Sequence, residues 1–423
     1  MRHHQVLIIG GGNAGISIAS QLYRKNRNLD IAIVDPADKH YYQPAWTLVG
    51  GGAFDVAKTV RRQQEVMPSH VKWIQAGCTG FLPDENKVTL SDGDQVTYDQ
   101  LVVCPGIQLN WDNVKGLRSA IENRQGVSSN YRFEWAPQTW DLIKNFSGKG
   151  KALFTAPNTP IKCGGAPQKI MYLAADYFRK NGLLKHDSVH FYSGGTVIFG
   201  VPEFAKTLNE VIKRYDIETH FGHNLIEVRG QEKIAVFETE VFDHHAHQAK
   251  LERMGCVVVD TSHDGRMVQV GVPFEIMHAT PPQSAPDFIR DSPLSVPGNA
   301  LGWLDINKHT LQHNRYANIW GAGDATSTPN AKTGAAIRKQ APVLVENLLA
   351  TMESKQGKGH YTGYGSCPLV TGYHKLVLAE FDYDNKPMTS FPFDQTRERY
   401  SMWLLKKNLL PYLYWNKILK GTA

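Results

Sequence analysis

The opening stretch of the chain constrains its fold more than any other feature. A β-branched run, Gln5–Ile9, leads into the glycine turn Gly10-Gly11-Gly12-Asn13-Ala14-Gly15, and an apolar helical pattern then leads to a second strand that ends at Asp35. Strand, glycines, helix, strand and acid in this order predict a βαβ dinucleotide-binding unit. We expect Gly10 to permit the tight turn, Gly12 to let a pyrophosphate approach, and Gly15 to let the helix pack on the strand. The Asp35 carboxylate is then positioned to accept hydrogen bonds from a ribose.

A second dinucleotide signature lies far downstream, at Asn318–Asp324. A short strand pattern ends in Gly321-Ala322-Gly323-Asp324, and residues 331–349 follow with a helical pattern. In flavoproteins with two dinucleotide domains, an aspartate at this strand end contacts the ribityl chain of the flavin, and the next helix N-terminus faces the flavin or its phosphates. Two such signatures in one chain indicate FAD rather than NAD as the cofactor. We therefore predict one FAD-binding domain, built from residues 1–110 and 290–350. Its candidate cofactor contacts are Gly10, Gly12, Gly15, Asp35, Gly106, Gly323 and Asp324.

The residues between these two parts, 111–289, have an αβ rhythm of their own. Strand patterns at 151–156 and 188–192 alternate with helical patterns at 167–180 and 204–215. In NADH-using relatives of this architecture the first strand-to-helix turn carries another GxGxxG. Here the turn reads Asn158-Thr159-Pro160-Ile161-Lys162-Cys163-Gly164-Gly165-Ala166-Pro167, with a cysteine in the turn. We predict a second Rossmann-like domain that has not retained its NAD site.

Composition excludes several other classes of protein. The chain has 46 basic and 40 acidic residues, a net charge of +6 over 423 residues, which does not indicate a nucleic-acid-binding protein. The five cysteines form no CxxC and no zinc-ligand spacing, so no metal is expected. The cluster His244-His245-Ala246-His247 is interpreted as a solvated loop. We read no signal peptide, no transit segment and no apolar run of about 20 residues, so any membrane contact is expected to be peripheral.

The composition changes in residues 351–423. From Arg397 to Lys420, aromatic and basic residues alternate, and Pro411 is expected to split this stretch into two short helical pieces. Such a pattern is typical of helices that lie in a membrane interface. An amphipathic helix packed on its own domain is the alternative. The predicted fold class is thus α/β, with two Rossmann-like dinucleotide-binding domains and a C-terminal helical segment that associates with a membrane.

Five stretches together resemble a known family. They are Tyr41–Gly50, Lys162–Lys169, Ser366–Tyr373, Ala379–Tyr383 and Phe391–Gln395. In these motifs the chain resembles the sulfide:quinone oxidoreductases, particularly the branch that includes the mitochondrial enzyme. The resemblance covers essentially the whole chain, and the two cysteine motifs are specific. Residues 240–262 depart from it, because this region is longer here.

The resemblance implies a mechanism with two redox-active cysteines, Cys163 and Cys367. Sulfide would attack Cys367 and leave it as a persulfide, Cys163 would depart as a thiolate, and electrons would pass through FAD to a membrane quinone. We expect Lys162 and the following helix N-terminus to stabilise that thiolate. The remaining cysteines, Cys78, Cys104 and Cys256, are interpreted as structural thiols.

The resemblance also implies further contacts and partners. Lys332 would stabilise the reduced flavin, Gln43 and Pro44 would pack against the flavin, and Phe391 or Phe393 would stack on the quinone. The expected partners are sulfide, a membrane quinone, a sulfane-sulfur acceptor such as glutathione or sulfite, and a membrane surface. A homo-oligomer is left open. We expect peripheral association with the cytoplasmic face of the cell membrane, or with the mitochondrial inner membrane if the chain is a processed form.

Three other functions remain open from the residues alone. An NADH:quinone oxidoreductase of the same fold would need the second GxGxxG that the Cys163 turn replaces. A sulfide dehydrogenase that donates to a haem partner would be exported. A non-catalytic flavin-binding protein would leave both cysteine motifs without a role.

Overall fold

The computed structural model describes residues 2–241, 248, 251–252, 254–262 and 265–423. The histidine cluster near residue 245 lies outside the described residues. The strands are β1 Arg2–Ile9, β2 Ile31–Val34, β3 Lys39–Tyr41, β4 Val60–Arg62, β5 Lys72–Ile74, β6 Cys78–Leu82, β7 Lys87–Leu90, β8 Gln95–Val103, β9 Gln108–Leu109, β10 Val127–Ser128, β11 Ala152–Ala156, β12 Val189–Ser193, β13 Ile217–Phe221, β14 Asn224–Arg229, β15 Ile234–Glu240, β16 Val257–Thr261, β17 Met267–Pro273, β18 Ile276–His278, β19 Gln283–Ser284, β20 Ile319–Gly321, β21 Gly365–Gly372 and β22 Lys375–Phe381. The helices are α1 Asn13–Lys25, α2 Trp46–Gly50, α3 Gln63–Val66, α4 Leu117–Glu122, α5 Ala136–Lys144, α6 Ala166–Lys180, α7 Pro202–Arg214, α8 Asp287–Arg290, α9 Gly334–Met352, α10 Tyr400–Leu404 and α11 Leu410–Leu413.

The first sheet unites strands from two distant parts of the chain. Its order is β5-β2-β1-β8-β7-β6, and β20 pairs with β8 in parallel. Strands β1, β2, β5 and β8 are parallel, whereas β6, β7 and β8 form an antiparallel meander. The parts of these strands that lead to the glycine turns, such as Val6–Ile9 and Leu101–Val103, are apolar and buried, because helices such as α1 and α9 cover them. This sheet is the one that the two dinucleotide signatures predict, with β1 and β20 both carrying a glycine turn at their ends.

The second sheet is parallel throughout and lies within residues 127–278. Its order is β10-β18-β11-β12-β13, and α6 and α7 pack against it. An antiparallel sheet, β14-β15-β17-β16, shares a hydrophobic cluster with it. The division of the chain into domains 1–110 with 290–350, 111–289 and 351–423 remains our proposal, and the strand order is compatible with it.

Gly365 and Pro368, on either side of Cys367, predict a loop there, but the structure has a strand. Cys367 lies in β21, which pairs with β22 in an antiparallel hairpin that sets Cys367 opposite Ala379. Pro368 is tolerated because both strands of a two-stranded hairpin are edge strands. The hairpin packs on α6, and this contact brings Cys367 to the turn that carries Cys163.

The C-terminal segment is one continuous helical run rather than two pieces. Between α10 and α11 lies a π-helical turn, Leu405–Leu409, and a second one, Tyr414–Ile418, follows α11. A π turn lacks the usual i to i−4 pattern, so the missing N–H and the ring of Pro411 are accommodated without a break. No helix of the described residues is long and apolar enough to cross a membrane.

Most of the aromatic residues expected to face a membrane are instead buried. Trp403, Tyr414 and Trp415 are 2%, 5% and 6% exposed, because they pack on the protein. Tyr400 and Tyr412 remain exposed, together with two leucines described below. The alternating pattern predicts an amphipathic helix correctly, but composition alone does not tell which rings point inwards.

Candidate active site

Helix N-termini from distant parts of the sequence meet around the turn that carries Cys163. The backbone N–H of Cys163 donates to the Lys332 carbonyl at 2.7 Å, which joins the second domain to the segment before α9. Asn13, at the start of α1, donates from its amide Nδ2 to the Gly334 carbonyl at 3.3 Å. The first turns of α1, α6 and α9 therefore border one site, as the two dinucleotide signatures lead one to expect.

At this site the two predicted catalytic cysteines are adjacent. The Cys367 thiol is hydrogen-bonded to Cys163, so the two sulfurs lie within reach of each other. Gly165 makes the approach possible, because a Cβ at this position would lie 2.7 Å from Cys367 Sγ. Cys163 itself has φ +50°, a left-handed conformation that is uncommon for a residue with a side chain. Strained backbone of this kind occurs preferentially at functional sites.

The charges around the pair favour a thiolate on Cys163 only. The hydrogen bond from Cys367 and the nearby Lys169 ammonium hold the pKa of Cys163 well below its usual value. The same hydrogen bond, with burial, raises the pKa of Cys367 well above its usual value. Although burial opposes its charge, Lys169 has a raised pKa because both cysteines stabilise the ammonium. The favoured state is therefore a Cys163 thiolate, a Cys367 thiol and a charged Lys169.

Lys169 is a functional candidate that the sequence analysis did not assign. Its side chain is 2% exposed and donates from Nζ to Cys163 Sγ at 3.1 Å. The expected partner, Lys162, instead donates from Nζ to Gln43 Oε1 at 2.7 Å, and burial lowers its pKa to about 8. The available signal was a lysine on the apolar face of α6, between the buried residues Ala166 and Ile170.

A third cation comes from the C-terminal helical run. Lys406 is 4% exposed, and its Nζ donates to the Pro44 carbonyl at 2.8 Å. Burial and the neighbouring Lys169 lower the pKa of Lys406 to about 8, while both cysteines act to raise it. The basic residues of this segment were expected to face lipid phosphates, but Lys406 points into the protein, towards the thiol pair.

The glycine turn after β1 fits a bound dinucleotide. A Cβ on Gly12 would meet no atom within 4 Å, whereas one on Gly15 would lie 1.9 Å from the Gly10 carbonyl oxygen. The N-terminus of α1 carries no side-chain cap and no acidic residue in its first turn, so its N–H groups can bind a phosphate. The Asp35 carboxylate lies at the same turn, where it accepts from Gly11 N at 2.5 Å.

Residues predicted to contact the flavin also lie close to one another. Burial raises the pKa of Asp324, although Lys332 and Lys162 counteract this effect. Lys332 donates from Nζ to the Thr326 carbonyl at 2.9 Å and lies 4.0 Å from the ring centroid of Trp303, so it is not a freely solvated lysine. Gly106 has φ +84°, and a Cβ there would meet open space. Together these residues fit the FAD that the two signatures predict.

The other predicted residues lie around this centre. Phe391 and Phe393 stack on each other with ring centroids 5.2 Å apart, and the Arg399 guanidinium lies 4.3 Å from the ring centroid of Phe393. Since Phe393 contacts both Phe391 and the Arg399 guanidinium, Phe391 is the better candidate for stacking on a quinone. Burial raises the pKa of Cys78 to about 12 and also raises that of Cys104, as expected of structural thiols. Within the described part of the chain, no group of three His, Cys, Asp or Glu side chains could hold a metal ion.

The fold and the site define a class of protein, a flavoprotein of the pyridine nucleotide-disulphide oxidoreductase type. The model of the family "Pyridine nucleotide-disulphide oxidoreductase" matches residues 4–139. A solved structure, the sulfide:quinone oxidoreductase of Aquifex aeolicus, is similar in fold with a TM-score of 0.76 at 16% identity, covering 100% of this chain and 92% of that one.

Two curated relatives are more specific. The mitochondrial sulfide:quinone oxidoreductase of Mus musculus is 41% identical over 419 residues, which cover 99% of this chain and 87% of the relative. The corresponding protein of Dictyostelium discoideum is 40% identical over 418 residues, covering 99% and 86%. The chain belongs to the sulfide:quinone oxidoreductase family. This confirms the family, the fold class and FAD as the cofactor.

Proposed function

We propose that the chain oxidises sulfide with Cys163 and Cys367 and passes the electrons through FAD to a membrane quinone. The observation that carries this proposal is the pair itself: two adjacent sulfurs whose pKa values are shifted in opposite directions, with Lys169 Nζ 3.1 Å from Cys163 Sγ. An idle pair of structural thiols would not need a buried ammonium, since burying an unpaired charge costs several kcal/mol.

The first step is the attack of hydrosulfide on the oxidised pair. Hydrosulfide forms a bond to Cys367 Sγ, the Cys163–Cys367 disulfide bond breaks, and Cys163 leaves as a thiolate with the bonding electrons. Cys367 is then a persulfide. This direction follows from the pKa values, because the sulfur with the lower pKa is the better leaving group. Lys169 stabilises the negative charge that appears on Cys163.

The second step removes the sulfane sulfur. A nucleophilic acceptor, such as glutathione or sulfite, attacks the outer sulfur of the persulfide, and Cys367 departs and takes up a proton. The pair is then a Cys163 thiolate beside a Cys367 thiol, the favoured protonation state described above. Reclosing the disulfide releases two electrons and the Cys367 proton.

FAD, when bound, supplies the two-electron acceptor beside the thiol pair and the donor to the quinone. Lys332 supplies a cation near its site, and Asp324 a hydrogen-bonding group. Phe391, which packs against the hydrophobic cluster that contains Leu48, Val370 and Trp403, would stack on the quinone.

The C-terminal helical run supports peripheral membrane association. Tyr400, Leu404, Leu409 and Tyr412 are 56%, 40%, 47% and 56% exposed, and they follow one side of the run. Lys406, on the opposite side, reaches towards the thiol pair. We propose that this exposed side, the apolar stripe, lies in the membrane interface, so that the run separates the reaction centre from the lipid. We propose that the membrane is the cell membrane, at its cytoplasmic face, or the mitochondrial inner membrane.

Anaerobic spectroscopy of the flavin tests the function directly. Sulfide, which can itself act as the nucleophilic acceptor of the second step, should bleach the flavin absorbance, NADH alone should not, and a soluble quinone should restore the colour. Cys163→Ser and Cys367→Ser should each prevent bleaching at low sulfide, while Cys78→Ser, away from the site, should not. Bleaching by NADH, or full turnover in either serine variant of the pair, would contradict the proposal.

A further inference from the structure

A surface cavity of about 430 Å³ lies away from the thiol pair, where the end of the chain docks on α1. The docking is specific: Ser20 Oγ donates to the Leu419 carbonyl at 2.8 Å, and both residues are buried. Gly421 lies so close to α1 that a Cβ there would meet Gln21 N at 2.9 Å. The cavity has the size of a small-molecule site, roughly 300–1,000 Å³.

The lining of this cavity is cationic. It includes Arg24 and Arg27 from the end of α1 and Lys420 from the end of the chain, and the described residues add no carboxylate to it. Within the described chain, none of these three cations forms an ion pair. His70 completes the lining, and its ring stacks on Tyr23 with centroids 3.6 Å apart. A lining with three unpaired cations and no carboxylate is chemically suited to a phosphate.

The position of the cavity distinguishes between possible sources of that phosphate. The apolar stripe, Tyr400 to Tyr412, continues along the same exposed side of the helical run through Asn416 to Lys420. Tyr412, Asn416 and Lys420 are all exposed, whereas Tyr414, Trp415 and Leu419 between them are buried. The cavity therefore lies at the polar end of the surface that we propose to face the membrane. Phosphate groups lie there, at the boundary between the apolar layer and water.

We propose that this cavity, the Arg24–Arg27–Lys420 pocket, binds the phosphate of an anionic phospholipid headgroup. This inference rests on the membrane association proposed above. The apolar stripe would supply binding to any bilayer, and the pocket would add a preference for anionic lipid and fix the orientation of the helical run. The proposal involves no covalent step.

Vesicle sedimentation of the full-length FAD-loaded protein tests the pocket. Vesicles of phosphatidylcholine alone are compared with vesicles that also contain phosphatidylglycerol, at constant ionic strength. The triple variant Arg24→Gln, Arg27→Gln and Lys420→Gln should bind phosphatidylcholine vesicles like the wild type. Its binding to the anionic vesicles should fall by roughly fivefold for each cation removed, or about 100-fold in total.

A matched control separates the pocket from net charge. Lys149→Gln, Lys185→Gln and Lys206→Gln remove the same charge from exposed positions of the second domain and should leave the anionic preference intact. Equal losses in the two triple variants, or no loss in the pocket variant, would overturn the proposal. If inorganic phosphate raised the melting temperature of the wild type but not of the pocket variant, and the two proteins bound anionic vesicles equally, the pocket would be assigned to a soluble phosphate instead. Failure of the wild type to bind phosphatidylcholine vesicles would refute the apolar stripe rather than the pocket.

Discussion

Three groups converge on the sulfur of Cys163: the thiol of Cys367, the ammonium of Lys169 and, further away, Lys406. Of the two lysines, Lys169 makes the direct contact, with its Nζ 3.1 Å from the sulfur. Replacing it with Met keeps the volume of the side chain and removes the charge. The pKa of Cys163 should then rise, by about one to three pH units, because an adjacent opposite charge favours the thiolate.

Alkylation of the dithiol enzyme by iodoacetamide as a function of pH measures this shift. The inflection for Cys163 should move to higher pH in Lys169→Met and stay close to the wild type in Lys169→Arg. Lys162→Met is the matched control, since Lys162 donates to Gln43 rather than to the sulfur. An equal shift in both methionine variants would mean that the field of the whole site, and not the contact, sets the pKa.

Cys367 can be tested by comparing two substitutions of similar size. Both Cys367→Ser and Cys367→Ala remove the disulfide and should abolish turnover of sulfide. A serine hydroxyl can still donate to the Cys163 sulfur, whereas alanine cannot. The pKa of Cys163 should therefore be higher in Cys367→Ala than in Cys367→Ser, because the hydrogen bond from Cys367 is the leading cause of the low pKa. The same alkylation profile, or a long-wavelength absorbance band from the thiolate beside the flavin, reports it. Indistinguishable profiles would show that Lys169 alone suffices.

Residue patterns in the sequence predict one part of this site and miss another. The glycine turns, Asp35, Asp324 and the Cys163 motif are local signatures, and the structure brings them to one site. The sequence shows Lys169 only as the last residue of the Lys162–Lys169 motif. Its role cannot be predicted from the motif, because it depends on the orientation of α6 relative to the preceding loop. Lys406 could not be assigned, since it reaches the thiol pair only through the tertiary packing of the C-terminal run.

At the scale of elements, the contact between α6 and the β21–β22 hairpin determines whether the two sulfurs meet. Gly165 lies in this contact: an added Cβ would lie 2.6 Å from Leu369 Cδ2 and 2.7 Å from Cys367 Sγ. Gly165→Ala should therefore displace the hairpin and lower the free energy of unfolding by about 1–3 kcal/mol, the usual cost of overpacking.

The neighbouring glycine provides the control. A Cβ on Gly164 would meet no atom within 4 Å, and Gly164 is exposed, so Gly164→Ala should be nearly neutral. Denaturant unfolding measures both free energies, and sulfide-dependent bleaching reports whether the sulfurs still meet. If Gly165→Ala had the same free energy of unfolding as the wild type and sulfide bleached its flavin normally, the close contact at Gly165 would be relaxed in solution.

In the C-terminal run, the pattern of residue types does not predict which side chains face the protein. Alternating aromatic and basic residues predict an amphipathic helix, and Pro411 predicts a break, yet π turns on both sides of α11 keep the run continuous. The phase of an amphipathic helix changes at each π turn, so that the inward and outward residues cannot be assigned by a simple helical period.

At the scale of the whole molecule, the same run connects the membrane side, the thiol pair and the FAD turn. The Tyr414 hydroxyl is 2.6 Å from His40 Nε2, and His40 Nδ1 is 3.2 Å from the Gly11 carbonyl oxygen. Burial lowers the pKa of His40 to about 4, so the ring is neutral near pH 7. The neutral ring can accept from Tyr414 while it donates to Gly11, and the run is thereby linked to the turn expected to hold the FAD phosphates.

A truncation before Arg397 consequently does more than remove a membrane contact. It deletes Lys406 from the thiol pair and Tyr414 from His40, and it uncovers the apolar residues that Trp403 and Trp415 now cover. Such a variant should lose FAD as well as membrane binding, which a count of flavin per polypeptide after gel filtration would reveal. It therefore cannot separate sulfide oxidation from quinone reduction.

Substitutions in the apolar stripe should separate sulfide oxidation from quinone reduction. Leu404→Ser with Leu409→Ser changes only exposed side chains, 40% and 47% exposed, and leaves Lys406 and Tyr414 in place. This variant should keep its FAD, its unfolding free energy within about 0.5 kcal/mol, and sulfide-dependent bleaching, since surface substitutions away from special features cost little. With a short-chain soluble quinone its turnover should be close to normal. With a long-chain quinone confined to vesicles, turnover should fall in proportion to the loss of vesicle binding.

Exposed positions far from the stripe, such as Val257 and Val258, provide a control with similar loss of apolar surface. Normal turnover of the stripe variant in vesicles, or an equal loss in the Val257→Ser and Val258→Ser control, would mean that the quinone reaches the FAD from another side of the molecule.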